Sequence, residues 1–163
     1  SAAIEKANSA VYKINKVEDA HGEMRAGKIA RTTIDIALIS NDTLYVAHAG
    51  DGRVYLLNKN KQLECITQDN SIGSGLTCML GRSEKMEGHT FLEKPLADYE
   101  KILIVTDGVY KPLGDGVLRE MLMQDGKPMD LLSKIVSKAR EISIQSDSVD
   151  DVSGILIIRN EVA

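Results

Sequence analysis

No stretch of this sequence is long and apolar enough to cross a bilayer. The longest apolar runs, such as Ile102–Val105 and Ile155–Ile158, fall far short of the roughly 20 residues that a spanning helix needs, so no membrane is expected among its partners. Positive charge is not in excess either. Twenty Lys and Arg stand against 24 Asp and Glu, for a net charge of -4 and a pI near 5.4. Without a basic stripe, nucleic acid is not an expected partner. Cysteine is scarce: Cys65 and Cys78 stand apart with no CxxC spacing and no neighbouring His, which excludes a zinc motif. Buried thiols in a reducing, cytoplasmic compartment are the expectation. Internal repeats, low-complexity tracts and linkers are missing too. The chain begins with Ser1, without a basic-then-apolar leader before its first helix-like stretch, and reads as a processed, excised or trimmed piece.

What is present suits a folded protein. The 163 residues are 43% hydrophobic and 27% charged, a length that buries about two thirds of its unfolded surface in one core. A single domain over residues 1–163 is therefore expected.

Ile4, Ala7, Val11, Ile14 and Val17 recur at spacings of three and four, predicting an amphipathic helix from Ala3 to about Glu18. A polar stretch, Asp19 to Arg31, precedes a strand over Thr32–Ile39, with Ile34, Ile36 and Leu38 on one face and Asp35 on the other. An exposed edge is the simplest account of Asp35, because an unpaired buried carboxylate is costly. Turn signals at Ser40–Asp42, Gly50–Gly52 and Asn58–Lys61 then divide strands over Thr43–Ala49, Arg53–Leu57 and Gln62–Thr67, an antiparallel meander in which each strand pairs with the next. Glycines make the middle of the chain loop-like, apart from a short strand near His89–Glu93. An apolar strand, Lys101–Thr106, ends on Asp107-Gly108. Helices are predicted over Val117–Met123 and Met129–Ile144, the second opening at Pro128 and burying Leu131, Leu132, Ile135, Val136, Ala139 and Ile142. A strand over Val152–Ile158 closes the chain. Strands in blocks, with helices before and after, indicate an α+β layered fold.

Asp51, Asp107 and Asp150 lie at strand ends, where the backbone holds a carboxylate firmly and the loop leaves it open to water and metal. Hard oxygen donors favour Mg²⁺ or Mn²⁺ over zinc. By spacing alone each is equally a turn or cap residue, Asp-Gly being a common turn dipeptide. His48 reads as a structural strand residue, and His21 and His89 as solvated loop residues. Thr32-Thr33 would serve an N-terminal-nucleophile hydrolase only after cleavage before Thr32; a strand start is simpler.

The segment Val46-Ala47-His48-Ala49-Gly50-Asp51-Gly52-Arg53-Val54-Tyr55-Leu56-Leu57 resembles the stretch of PP2C-type protein serine/threonine phosphatases in which a strand runs into Gly-Asp-Ser-Arg and a second strand. In register with it, Thr32-Thr33 is similar to the Thr-Thr that opens the preceding strand. Ile66–Ser71 is similar to the Leu-Thr-x-Asp-His-Ser block, Leu103–Val109 to the strand ending in Asp-Gly, and Asp150-Asp151-Val152-Ser153 to the terminal Asp-Asn-x-Thr/Ser. Five blocks in order make the resemblance specific. It implies an α/β/β/α sandwich of two antiparallel sheets flanked by helices. The activity it implies is hydrolysis of phosphoserine and phosphothreonine in phosphoprotein substrates by water activated between two Mg²⁺ or Mn²⁺ ions, with a third ion in some members. Carried over by position, Asp107 and Asp150 are expected to bind one metal of the pair and Asp51 the additional, weaker one. No side chain is expected to act as nucleophile.

The sequence departs from that pattern in four places. Nothing matches the family's Asp-Gly-x-Gly-Gly segment, whose Asp bridges both metals, or its phosphate-gripping Arg. Ala7-Asn8 resembles the helix just after that segment, so the resemblance implies a domain lacking its N-terminal strands and inactive alone. The alternative is a non-catalytic PP2C-like regulatory or binding module. Gly52 replaces the expected Ser, with little expected consequence. Asp151 replaces Asn and adds a carboxylate. The flap between Ser71 and Leu76 is short, which reduces any substrate selection there. Missing strands would also leave a sheet edge open to self-association or a partner chain.

Overall fold

A computed structural model describes residues 2–15, 29–73 and 75–159. The predicted end of the first helix, most of the polar segment after it and His21 fall in residues 16–28, outside the described residues.

Helix α1 (Ala2–Ile14) is followed by β1 (Ile34–Ser40), β2 (Thr43–Ala49), β3 (Arg53–Asn58) and β4 (Leu63–Cys65). A small ribbon, β5 (Ser71–Ile72) and β6 (Gly75–Leu76), leads to β7 (Thr90–Pro95) and β8 (Tyr99–Val105). Helices α2 (Asp107–Leu122) and α3 (Pro128–Gln145) and strand β9 (Gly154–Ile158) complete the described chain. The strands form two larger antiparallel sheets, ordered β1-β2-β7 and β4-β3-β8-β9. The expected meander is broken at one point. β2 and β3 lie in different sheets, so Gly50-Asp51-Gly52 carries the chain across the sandwich instead of turning a hairpin.

Alternation along the strands builds the layers. Leu44, Val46 and Leu92 of one sheet meet Val54, Leu56, Ile102 and Ile104 of the other. The opposite faces of β3 and β8 present Tyr55, Leu57, Leu103 and Val105 to Val109, Leu113, Leu118 and Leu122 of α2 and to Leu131, Ile135 and Ala139 of α3. Strands buried on both faces read as continuous apolar runs, as Ile102–Val105 does. Against the outer face of the other sheet, Ile4, Ala7 and Val11 of α1 cover Ile34, Ala47 and Ala49, with Leu80 and Met86 beside them. Asn8 and Asn15 lock that helix down. The Asn8 amide donates to the Ser83 and Glu84 carbonyls and accepts from Gly81 N–H, while Asn15 donates to the Ala30 and Gly81 carbonyls.

Two expectations change. In β1 the two faces are reversed. Ile36 and Leu38 are exposed, with Tyr45 and Phe91 exposed on the neighbouring strands, whereas Ala37 packs between the sheets and Asp35 shares its face. Helix α2 begins at Asp107, ten residues before the predicted start. Gly108, Pro112 and Gly114 disguise its first half, and Gly114, with φ of 69°, kinks it. Its C-terminus is held by the buried Lys101, whose ammonium donates to the Leu122 and Gln124 carbonyls at 2.6 and 2.8 Å. A cation at this end of a helix meets the negative end of its dipole.

Candidate active site

The crossing at Gly50-Asp51-Gly52 is fixed by the segment after β4. Asn70 pairs with Gly50 twice, its backbone N–H donating to the Gly50 carbonyl at 2.6 Å and its side-chain oxygen accepting from Gly50 N–H at 3.0 Å. The Thr67 hydroxyl accepts from Val54 N–H at 3.0 Å. Arg53 grips Asp69 with two bonds, Nε to Oδ1 at 2.9 Å and Nη2 to Oδ2 at 3.0 Å, the forked geometry that makes guanidinium–carboxylate pairs directional. That hydrogen bonding holds the Asp69 carboxyl below its ordinary range. The Arg53 guanidinium also lies 3.8 Å from the centre of the Tyr110 ring. Tyr110 in turn donates its hydroxyl to the Asp51 carbonyl at 3.0 Å, tying α2 to the crossing.

Beneath this loop lies a buried pair. His48, fully enclosed, sits with Nδ1 2.6 Å from Asp35 Oδ1 and donates from Nε2 to the Gln68 carbonyl at 3.0 Å. A carbonyl can only accept, so Nε2 carries a hydrogen; a proton on Nδ1 as well makes the ring the cation of an ion pair with Asp35. Burial by itself lowers the imidazole, but the hydrogen bond and charge of Asp35 outweigh it, and the net shift is upward. Asp35 is therefore on the edge strand but not exposed: its side chain is 14% accessible. It is bonded across the β1–β2 pairing, directly opposite His48 in register. The other Asp35 oxygen lies where a Cβ at position 52 would be. A serine at 52 would force the Asp35 carboxylate to shift from the place His48 gives it, so Gly52 leaves room for that pair.

Asp107 follows Thr106, the N-cap of α2, and its Oδ1 accepts from Gly108 N–H at 3.0 Å. Gly108 is needed because the loop before β9 passes against it, and a Cβ there would run into the Asp151 carbonyl. Thr106 ties the same loop, donating its hydroxyl to the Asp151 carbonyl at 3.2 Å and accepting from Ser153 N–H at 3.1 Å. Asp107 and Asp150 thus line one cleft of ≈ 200 Å³, together with Lys111, Pro112, Ser143 and Ser146. Asp150 Oδ1 accepts from its neighbour Asp151 N–H at 2.8 Å.

Asp51 joins the group through Lys111, whose Nζ is 2.6 Å from Asp107 Oδ2 and 4.0 Å from Asp51 Oδ2. Burial and the charge of Asp107 push the Asp51 carboxyl above its ordinary value, with Lys111 offsetting part of the rise. The three predicted aspartates are thus gathered at one end of the sandwich. Their oxygens suit a hard divalent cation in kind. In number they do not: among the described residues, no three His, Cys, Asp or Glu side chains are close enough to hold a metal ion. Carboxylate chemistry fits Mg²⁺ or Mn²⁺, but the described residues do not close a metal site by themselves, and the Lys111 ammonium pairs with Asp107.

The Asp35–His48 pair and the Arg53–Asp69–Tyr110 cluster were missed from sequence. A signal existed for the first: facing polar residues at the same parity on two adjacent apolar strands. None existed for the second, whose members come from three distant segments.

Residues 1–143 match the profile of the family described as protein phosphatase 2C. No curated protein matches. Among solved structures, the serine/threonine phosphatase Stp1 from Staphylococcus aureus is 22% identical with a TM-score of 0.79, over 96% of this chain and 65% of that one. PppA of Pseudomonas aeruginosa, named as a regulatory component of T6SS, is 19% identical with a TM-score of 0.79, over 97% and 67%. A bacterial serine phosphatase is 22% identical with a TM-score of 0.77, over 94% and 65%. At such identity these likenesses establish the fold, two antiparallel sheets with flanking helices. The chain spans less than two thirds of the length of the first structures it matches. With the family profile extending over most of its length and the same layered fold in the solved structures, the chain belongs to the protein phosphatase 2C family.

Proposed function

We propose that this chain is the larger part of a metal-dependent protein serine/threonine phosphatase domain, contributing Asp107, Asp150 and Asp51 to Mg²⁺ or Mn²⁺ binding. The observation that carries the reading is the gathering of these three carboxylates at one end of a sandwich of this family, two of them in one cleft. When bound, such ions supply a water acidic enough to give a nucleophile near neutral pH. The chain's own residues orient the carboxylates. Thr106 and Gly108 seat the loop carrying Asp150 against Asp107, Tyr110 bonds the backbone of Asp51, and Asn70 and Asp69 hold Gly50 and Arg53 on either side of it. Phosphoserine or phosphothreonine in a protein is the substrate class that the family implies.

The test is Mn²⁺-dependent phosphate release from a phosphothreonine peptide. Three proteins are compared: this chain, a form extended at its N-terminus by strands carrying Asp-Gly-x-Gly-Gly, and the extended form with Asp107→Ala. The chain alone should stay near background and the extended form should be active. Asp107→Ala should cost roughly a hundredfold or more, because even residues behind metal ligands cost about 10- to 100-fold. Intact metal-dependent activity in Asp107→Ala would sink the site assignment. A second reading, a non-catalytic binding module, is favoured by the lack of a three-donor group among the described residues. An inactive extended form that still bound a phosphopeptide would support it.

A further inference from the structure

Each of the two larger sheets has two outer strands, and three of these four edges are blunted. β4 is only three residues long. β7 closes on Glu93, Lys94 and Pro95, and β9, which opens at Gly154, runs out into Arg159. Short length, charge and proline are devices by which an edge avoids pairing with another chain. β1 uses none of them. It is seven residues long, carries neither lysine nor proline, and pairs with β2 in unbroken register. Its one charged residue, Asp35, is taken up by His48. Ile36, Leu38 and Ile39 are exposed along it, and among the described residues β2 is its sole neighbour in the sheet.

What such an edge accepts is another strand, and Ile34–Ser40 is complementary to itself. Laid antiparallel to a second β1 about a two-fold axis at Ala37, all seven residues pair. Ile36 then stands opposite the other copy's Leu38 on the outer face, Ala37 meets its own counterpart, and Asp35 faces Ile39 on the inner face. Directly opposed residues share a face, and here no like charges meet. A slip of two residues would leave only Ile34–Leu38 or Ile36–Ser40 paired, and a slip of one would turn Ile36 and Leu38 against inward-facing residues. Tyr45 and Phe91, exposed on the strands beside β1, widen the apolar strip on each copy.

We propose that β1 is a homodimerisation edge, which pairs with β1 of a second copy about Ala37 and joins the two β1-β2-β7 sheets into one. Two-fold contacts of this kind are the commonest in oligomers. The paired strand is about 23 Å long, small by the standard of specific interfaces. The dimer should therefore be reversible, with a Kd on the order of 100 μM. The inference stands on the sheet edge alone and is independent of the aspartates and their chemistry.

The experiment combines sedimentation velocity of the 163-residue chain, over concentrations that bracket this Kd, with oxidative cross-linking. Wild type should form dimers and nothing larger, because pairing uses up the β1 edge. Ile36→Lys should raise the Kd at least about tenfold, since each dimer loses two cross-strand apolar pairs. Ser137→Lys, the same change of charge at an exposed position of α3, should leave it unchanged. Opposed residues lie about 4.5–5.5 Å apart at Cα, within reach of a disulfide, and diagonal ones about 7–8 Å apart, beyond it. An equal mixture of Ile36→Cys and Leu38→Cys should therefore cross-link at least about fivefold faster than either variant alone, with Cys65 and Cys78 of the wild type setting the background. A wild type that stays monomeric, a dimer indifferent to Ile36→Lys, or single variants that cross-link as fast as the mixture would each overturn the proposal. So would an N-terminally extended form that is monomeric where this chain dimerises, because the edge would then be filled by the extension's own strand.

Discussion

The two outer faces of the sandwich are finished differently. On one side, α2 and α3 cover the β4-β3-β8-β9 sheet, and Tyr55, Leu103, Leu118, Ile135 and Ala139 close a continuous core. On the other, α1 covers only the end of the β1-β2-β7 sheet around Ile34, Ala47 and Ala49, leaving Ile36, Leu38, Tyr45 and Phe91 exposed. Asp107 and Asp150 belong to the covered side, and Asp51 lies on the crossing between the two. The position of the candidate site is thus set mainly by the well-packed half, while the less covered half contributes the buried Asp35–His48 pair under the crossing.

The sharpest way to break this comparison is to truncate one aliphatic side chain on each face. Ile135, fully buried among the helices, should cost about 3 kcal/mol as Ile135→Ala, from lost transfer energy and the cavity left behind. Leu38, 60% exposed, should cost less than about 0.5 kcal/mol as Leu38→Ala. Urea denaturation of the two variants measures both. Equal losses would mean that the β1-β2-β7 face is covered in solution.

The sequence carried the elements better than their partners. The turn signals at Ser40–Asp42 and Gly50–Gly52 located β2 to the residue, and the stripe from Leu131 to Ile142 located α3 to within one residue at each end. In β1 the alternation correctly set Asp35 opposite Ile36 and Leu38, yet it could not tell which face turns inward. That is decided by the other sheet, through contacts with Ala37. The first half of α2 was hidden because glycine and proline are helix breakers on average, whereas Gly108 is there to admit the Asp151 carbonyl. The three aspartates were legible because strand ends are legible. Lys111 was not singled out, since its meaning depends on Asp51, which is 60 residues earlier in the chain.

The buried pair under the crossing provides the next test, through pH. The folded His48 imidazole binds its proton more tightly than the ordinary value of 6.5, so above that value the folded state holds more protons than the unfolded one. Stability then falls as pH rises. The His48 contribution is complete below about pH 6.5 and is lost as pH climbs through the raised folded value. Denaturation midpoints measured across this window should decline in the wild type. In Asp35→Asn the decline should vanish or reverse, because burial, which lowers the imidazole, is then opposed only by the Gln68 carbonyl and the more distant Asp69. A wild-type midpoint that rose with pH over this window would show that His48 is neutral in the fold. Gly52→Ser should resemble Asp35→Asn, since its side chain displaces the carboxylate from the ring.

The smallest effect on stability is expected where the least is packed. Leu38→Lys lies directly opposite Tyr45 in register on the exposed face, and it removes no buried contact. It should leave the urea midpoint within about 0.5 kcal/mol of wild type. Its effect should appear instead in association. Contiguous exposed apolar side chains favour contact between molecules, and a lysine on an edge strand opposes edge-to-edge pairing. β1 is such an edge. Sedimentation velocity over a range of concentrations should therefore show less self-association for Leu38→Lys than for wild type, with the same melting temperature. A large drop in stability would place Leu38 under a cover, and unchanged association would mean that this face does not draw copies of the chain together.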